Sequence, residues 1–337
     1  MIFVRNTVSC PNLLVYLQAM SRLIDDIGAF LEANGFEYSL QFRYGFDVIC
    51  AATLDGRHSR VIMPLEISAT TTKDATMASL RAYEAVRSIR VLEGYPIIIP
   101  EDRWKRQKPM MEARLMAHME VFSQAYARNC EVRRIDKETA RKFLDENHSY
   151  GYAACKYRYG LFLKRHTGHI AREMGFLNCA LNDKEDGLNN NEGGGKGNIG
   201  MLIAAATFSN ARKWIKDGKE IRSYEWTRYA SLPDLRVSGG MGKLLKTFIL
   251  EVQPDDIMSY ADLEWSQGDV YKTLGFNEEL PKDPVSFEID PQTWERRAIS
   301  RCQPEPGTTQ AEPDTAGKLF YTNFGSRKLR LKLTDYQ

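Results

Sequence analysis

Val237-Ser238-Gly239-Gly240-Met241-Gly242-Lys243 and, downstream, Tyr271-Lys272-Thr273-Leu274-Gly275-Phe276 frame the part of the chain whose reading decides the fold. The β-branched and aromatic run over 223–230 reads as a strand. The glycines read as a turn opening an amphipathic helix over 243–252, followed by a buried strand over 257–261 and a short helix over 268–274. In this order Gly240 and Gly242, with Met241 and Lys243, let backbone N–H groups approach an anion at a helix N-terminus. Tyr271 carries a hydroxyl suited to protonating a leaving thiolate, and Glu225 a carboxylate suited to deprotonating an amine. The same residues also fit a plain tight helix start with Tyr271 as a packing side chain.

Upstream of this frame, 131–135 and 157–164 read as strands. They flank a helix over 137–147 for which Asp136 is the expected N-cap. Residues 182–200 are Gly- and Asn-rich and polar, which predicts a flexible insertion before a strand over 200–208. Further upstream, apolar spacings of three and four predict helices over 12–34, 74–92 and 108–124. Strands are expected within 38–52, 61–67 and 95–99. Downstream, 303–317 reads as a loose linker and 318–332 as a basic, aromatic final strand or hairpin. The expected fold class is α/β in two α/β domains, 10–125 and 126–300, with 303–337 as linker and C-terminal strand.

The chain has 337 residues, enough for two domains at roughly 150 each. Its 46 basic residues nearly match its 44 acidic ones, so overall charge makes no case for a polyanionic partner. Six cysteines form no CxxC pair, which disfavours structural zinc and fits reduced thiols of a cytoplasmic protein. Five histidines show no HExxH spacing. No apolar run approaches the ~18 residues of a membrane span, and no secretory leader is expected at the N-terminus. Oligomeric state is open.

Two further groupings carry chemistry. Asp47 and Glu66 are expected at strand ends, with Asp26 on the preceding helix. Carboxylates converging at a sheet end suit Mg²⁺, which activates water against a phosphodiester. Solvated acids at strand ends fit the same pattern. Basic residues also cluster. Residues 126–172 hold eleven Lys or Arg against five Asp or Glu, and 318–332 hold five basic residues and no acid, with Tyr and Phe interleaved. Arg128, Arg133, Arg134, Lys156, Arg158, Arg327, Lys328 and Arg330 are therefore the candidate contacts to a double-stranded DNA backbone, alongside the reading of solvated charged faces.

Residues 130–280 resemble the GNAT acyltransferase fold, a mixed sheet flanked by helices. Gly240-Met241-Gly242 is similar to the end of that family's Gln/Arg-x-x-Gly-x-Gly/Ala signature, and Tyr271 to Phe276 to its closing motif. Val237 departs from it, standing where Gln or Arg is expected. The resemblance implies acetyl-CoA, with Gly240 and Gly242 at its pyrophosphate, Tyr271 as acid and Glu225 as base. The N-terminal order resembles the restriction-endonuclease-like fold, closest to the very-short-patch-repair nucleases. It comprises Asp47, an apolar strand ending in Glu66, a helix, and Glu93-Gly94-Tyr95-Pro96-Ile97-Ile98-Ile99-Pro100-Glu101-Asp102-Arg103-Trp104. The family's Trp-His pair is absent after Glu66, and Ser68 occupies the lysine position of a Glu-x-Lys pattern. The whole order, over about 20–280, resembles phage homing-endonuclease-like proteins. It implies a metal-dependent DNA endonuclease with Asp47 and Glu66 on Mg²⁺. A GNAT-type N-acyltransferase using acetyl-CoA, and a DNA-binding module with both centres inactive, are the alternatives.

Overall fold

The computed structural model describes residues 22–164, 200–216, 218–299 and 317–335. The insertion expected over 182–200, the linker over 303–317 and the first part of the helix over 12–34 lie outside the described residues, apart from Gly200 and Gly317. In chain order the elements are α1 (Arg22–Ala33), β1 (Phe36–Arg43), β2 (Phe46–Thr53), β3 (Ser59–Leu65), α2 (Thr72–Glu93), β4 (Ile97–Pro100), α3 (Glu101–Arg106), α4 (Lys108–His118), β5 (Ser123–Tyr126), β6 (Cys130–Arg134), α5 (Lys137–Asn147), β7 (Tyr157–Leu163), β8 (Leu202–Phe208), β9 (Arg212–Lys216), β10 (Lys219–Ser231), β11 (Leu235–Ser238), α6 (Gly240–Val252), β12 (Asp256–Asp262), α7 (Asp269–Thr273), β13 (Asn277–Glu278), β14 (Ser286–Ile289), β15 (Arg296–Ala298), β16 (Leu319–Thr322) and β17 (Ser326–Lys332). The mixed α/β class is as expected. The chain divides into two compact units, one running to Arg106 and including Ser286–Thr322, the other Gln107–Val285 with the residues from Asn323 onward.

The first unit runs helix α1, strands β1 to β3, helix α2, strand β4 and the short helix α3, and the helix expected over 108–124 as its last element falls in the second unit as α4. Strands β1, β2 and β3 form an antiparallel meander, and β4 adds parallel to β3. Ile97, Ile98 and Ile99 are all buried, as a parallel strand covered on both faces requires. Helix α2 begins where Thr71 accepts the Asp74 N–H at 3.1 Å and ends at Gly94, whose φ of 83° a side chain would strain. Its inner face, Ala75, Ala82, Ala85, Val86 and Ile89, is mostly small. A second sheet, β15-β14-β16, supplies Phe287, Ile289 and Tyr321 to a small core that Ile67 completes.

The second unit is built on a sheet ordered β13-β17-β12-β10-β8-β7-β6, with β9 hairpinned onto β10. Every pairing in it is antiparallel except β10 with β12. All of Ile203 to Phe208 on β8 are buried. Alternation sends Ala205 to a cluster with Phe143 and Leu144 of α5, and Ala204, Ala206 and Phe208 to the cluster holding Leu244, Leu245 and Phe248 of α6. The alanines let two helices close on opposite faces. Phe248 stacks on Phe208 with centroids 3.9 Å apart and meets Tyr157, Tyr159 and Tyr224 edge-on.

Two expected elements differ. The helix over 108–124 stops at His118, because Glu120 takes a left-handed φ of 63° and the chain then forms β5, which pairs with β11. The segment 318–332 is two strands that do not pair with each other. β16 joins β14 in the first unit, while β17 lies between β12 and β13 in the second. Gly325, at φ 78°, makes the break, since a Cβ there would collide with the Lys282 carbonyl oxygen.

Candidate active site

The second unit contains a parting of strands. β10 and β12 pair only at Ser223–Asp256, Tyr224–Ile257 and Glu225–Met258. Beyond Glu225, β10 follows β8 alone, with a register shift between Trp226 and Arg228. A bulge bends the strand that carries it and sharpens its twist, so β10 turns away from β12 at this point. Ser259 Oγ donates to the Trp226 carbonyl at 3.0 Å just past the last rung. Glu225 is therefore the final paired residue at the mouth of the parting.

Helix α6 starts beside it. Gly239 is its N-cap at φ 75°, and no side chain caps the first turn. The Lys243 N–H bonds back to the Gly239 carbonyl at 3.0 Å, which leaves the N–H groups of Gly240, Met241 and Gly242 at the open end of the helix. Close packing explains the glycines. A Cβ on Gly240 would stand 3.0 Å from Val237 Cγ1 and 3.3 Å from the Tyr229 hydroxyl, and one on Gly242 would stand 3.3 Å from Leu274. The second contact seats the first turn of α6 against the residues that end α7. Lys243 points elsewhere, its ammonium donating to the carbonyls of Ala127 and Cys130.

Tyr271 is held edge-on by Trp226, at 5.7 Å, and by Phe276, at 5.4 Å. Burial pushes its hydroxyl above the ordinary tyrosine value, with Ser259 pulling back by a hydrogen bond. Burial raises Tyr229 as well. Across the mouth, Arg228 lies close enough to Glu225 for their charges to interact, and burial lowers its pKa. Its Nε donates to the Gly151 carbonyl at 2.9 Å. The set suits acyl transfer. It presents a carboxylate at the mouth, a hydroxyl inside, and uncapped N–H groups alongside that can take an anion.

The first unit brings its acids to one end. β2 runs antiparallel to β3 with Ile49 opposite Ile62, so Asp47 lies toward the end of the sheet where Glu66 leaves β3, and alternation puts both on one face. Because β4 is parallel to β3, Glu101 arrives at the same end. Its Oε2 accepts the Ile67 N–H at 3.0 Å. Burial raises the Glu101 pKa, the hydrogen bond from Ile67 lowers it, and the Glu66 charge raises it further. Asp26 is taken by Lys105, 3.2 Å away. Glu101 and Lys105 were visible only as part of the segment after Pro100; the parallel pairing that aligns Glu101 with Glu66 is what gives them meaning. Among the described residues no three His, Cys, Asp or Glu side chains gather as a metal site. The expected Mg²⁺ therefore has no ready-made ligand cage among the described residues.

Most of the basic candidates are engaged within the second unit. Arg133 pairs with Glu131, Arg134 with Glu251, Arg327 with Glu278 and Lys328 with Glu279. Arg330 donates to Asp256 at 2.6 Å and to Glu279 at 2.6 Å, and Asp256 is fully buried. It is a structural clamp for β17. Arg128 lies over the Tyr126 ring at 4.7 Å and Lys156 over Tyr157 at 5.5 Å. Arg158 lines a cavity with Lys137 and Arg141. Among the described residues no helix is long and apolar enough to cross a membrane.

No family model matches the chain. No curated protein matches it either. Among solved structures, it is similar to a tyrosine-to-phenylalanine mutant of the AtaT toxin bound to the C-terminus of the antitoxin AtaR and acetyl-CoA. The identity is 11%, covering 58% of this chain and 93% of that one, with a TM-score of 0.25. At that score the likeness carries no weight for the chemistry, which stands on the geometry above.

Proposed function

We propose that the second unit transfers an acyl group from coenzyme A to an amine. The observation that carries this is the parting of β10 from β12 at Glu225, with Tyr271 and the uncapped start of α6 beside it. The N–H groups of Gly240, Met241 and Gly242 bind the phosphates, since a helix start with no side-chain cap offers its donors to an anion. Acetyl-CoA, when bound, supplies a thioester carbonyl. Glu225 takes the proton from the attacking amine, with the Arg228 guanidinium close enough for the two charges to attract. The new C–N bond forms as the C–S bond breaks. The electron pair leaves on sulfur, and Tyr271 donates the proton that makes the free thiol. Burial supports this last role because it keeps the hydroxyl protonated at neutral pH.

The test is calorimetric titration of the whole protein with acetyl-CoA, beside a variant carrying Gly242→Val. A Cβ already meets Leu274 there, so a branched side chain disturbs the first turn. Saturable binding in the parent, lost in the variant with the fold retained by circular dichroism, supports the reading. No binding in the parent overturns it.

A further inference from the structure

The second unit holds a cavity of about 400 Å³ that the mechanism does not use. It is lined by Lys137, Arg141, Tyr152, Ala154, Cys155 and Arg158, three cations and no carboxylate. Among the described residues no acid forms an ion pair with Lys137, Arg141 or Arg158. Arg141 rests over the Tyr152 ring at 5.4 Å, and Arg158 Nη1 donates to the Cys155 carbonyl at 3.1 Å. Arg158 Nε is buried and has no hydrogen-bond partner. A buried guanidinium N–H without an acceptor costs free energy, and a guanidinium takes oxyanions in bidentate geometry. The cavity wall also belongs to the loop that reaches the proposed active site. Tyr150 on this loop donates to Asp262 at 2.8 Å, and the Gly151 carbonyl accepts from Arg228, the neighbour of Glu225.

We propose that this cavity binds a phosphate group of the molecule that receives the acyl group. Lys137, Arg141 and Arg158 supply the charge around the cavity. The role assigned to the phosphate rests on the acyl-transfer reading; the existence of the oxyanion site does not.

The experiment follows the arginine Nε–H signals of the whole protein, labelled with ¹⁵N, as inorganic phosphate is added. Arg158→Lys identifies the Arg158 signal. Lys137 and Arg141 are exposed side chains of α5, so Lys137→Ala with Arg141→Ala leaves the fold intact. The Arg158 signal is expected to shift saturably, with affinity weakened at least about tenfold in the double variant, as loss of charged partners predicts. It is expected to shift equally when coenzyme A is saturating. No shift at high phosphate, or the same shift in the double variant, overturns the site. Displacement of phosphate by coenzyme A overturns the assignment to the acceptor, because the coenzyme then provides the phosphate. Coenzyme A binding is read separately by calorimetry, so failure of the transfer reading and failure of this site are told apart.

Discussion

In the proposed acyl transfer Tyr271 is the acid, and its substitution has a signature of its own. Tyr271→Phe keeps the ring between Trp226 and Phe276 and removes only the hydroxyl, so kcat is expected to fall about 10²-fold with little change in KM for acetyl-CoA. Because burial raises the Tyr271 pKa, the alkaline limb of the parent's kcat profile should lie above about pH 10, and it should vanish in the variant. Glu101 offers a second test, of stability. Its pKa is raised in the fold, so its contribution is present below its unfolded value and lost as pH rises through the folded value. At pH 7 it therefore opposes folding. Glu101→Gln keeps an acceptor for the Ile67 N–H and should raise stability at pH 7 by no more than about 1 kcal/mol after solvent screening. Thermal unfolding at pH 7 and at about pH 4 checks this, with the gain absent at the lower pH. The glycine turn and Tyr271 were legible because glycine and a helix start leave a local signature. The reason for Gly240 was not legible, since Val237 and the Tyr229 hydroxyl reach it through tertiary packing.

At the scale of elements, α6 and β17 fix the second sheet by different means. Phe248 fills the centre of an aromatic cluster, and Phe248→Ala is expected to cost about 3–5 kcal/mol in urea unfolding. Arg330 clamps β17 to the buried Asp256, so Arg330→Ala removes a guanidinium from a buried ion pair and should cost about 3–5 kcal/mol by the same measurement. A loss under 1 kcal/mol would show that the carboxylate finds other partners. That basic strand read from sequence as a nucleic-acid face. Its charge was visible, but its acids were not, because Asp256 and Glu279 come from distant segments. The helices α2, α5 and α6 were legible from spacing and caps. Strands β14 and β15 were not, because they are short, and pairing with β16 is what defines them.

Across the molecule, each unit is assembled from separated stretches of chain. The first unit needs β14 to β16 from beyond the second, and the second takes β17 from beyond those. The order of elements showed two α/β bodies but not this interlacing, which depends on one glycine break at Gly325. β17 sits inside the sheet, between β12 and β13, rather than at its rim. During synthesis on the ribosome, β12 therefore emerges long before the strand that covers its outer edge. Until β17 follows, that edge presents open hydrogen-bonding groups to any neighbouring chain. The nascent polypeptide is thus most exposed to misassociation in the interval between translation of β12 and of β17, when its sheet is otherwise nearly built.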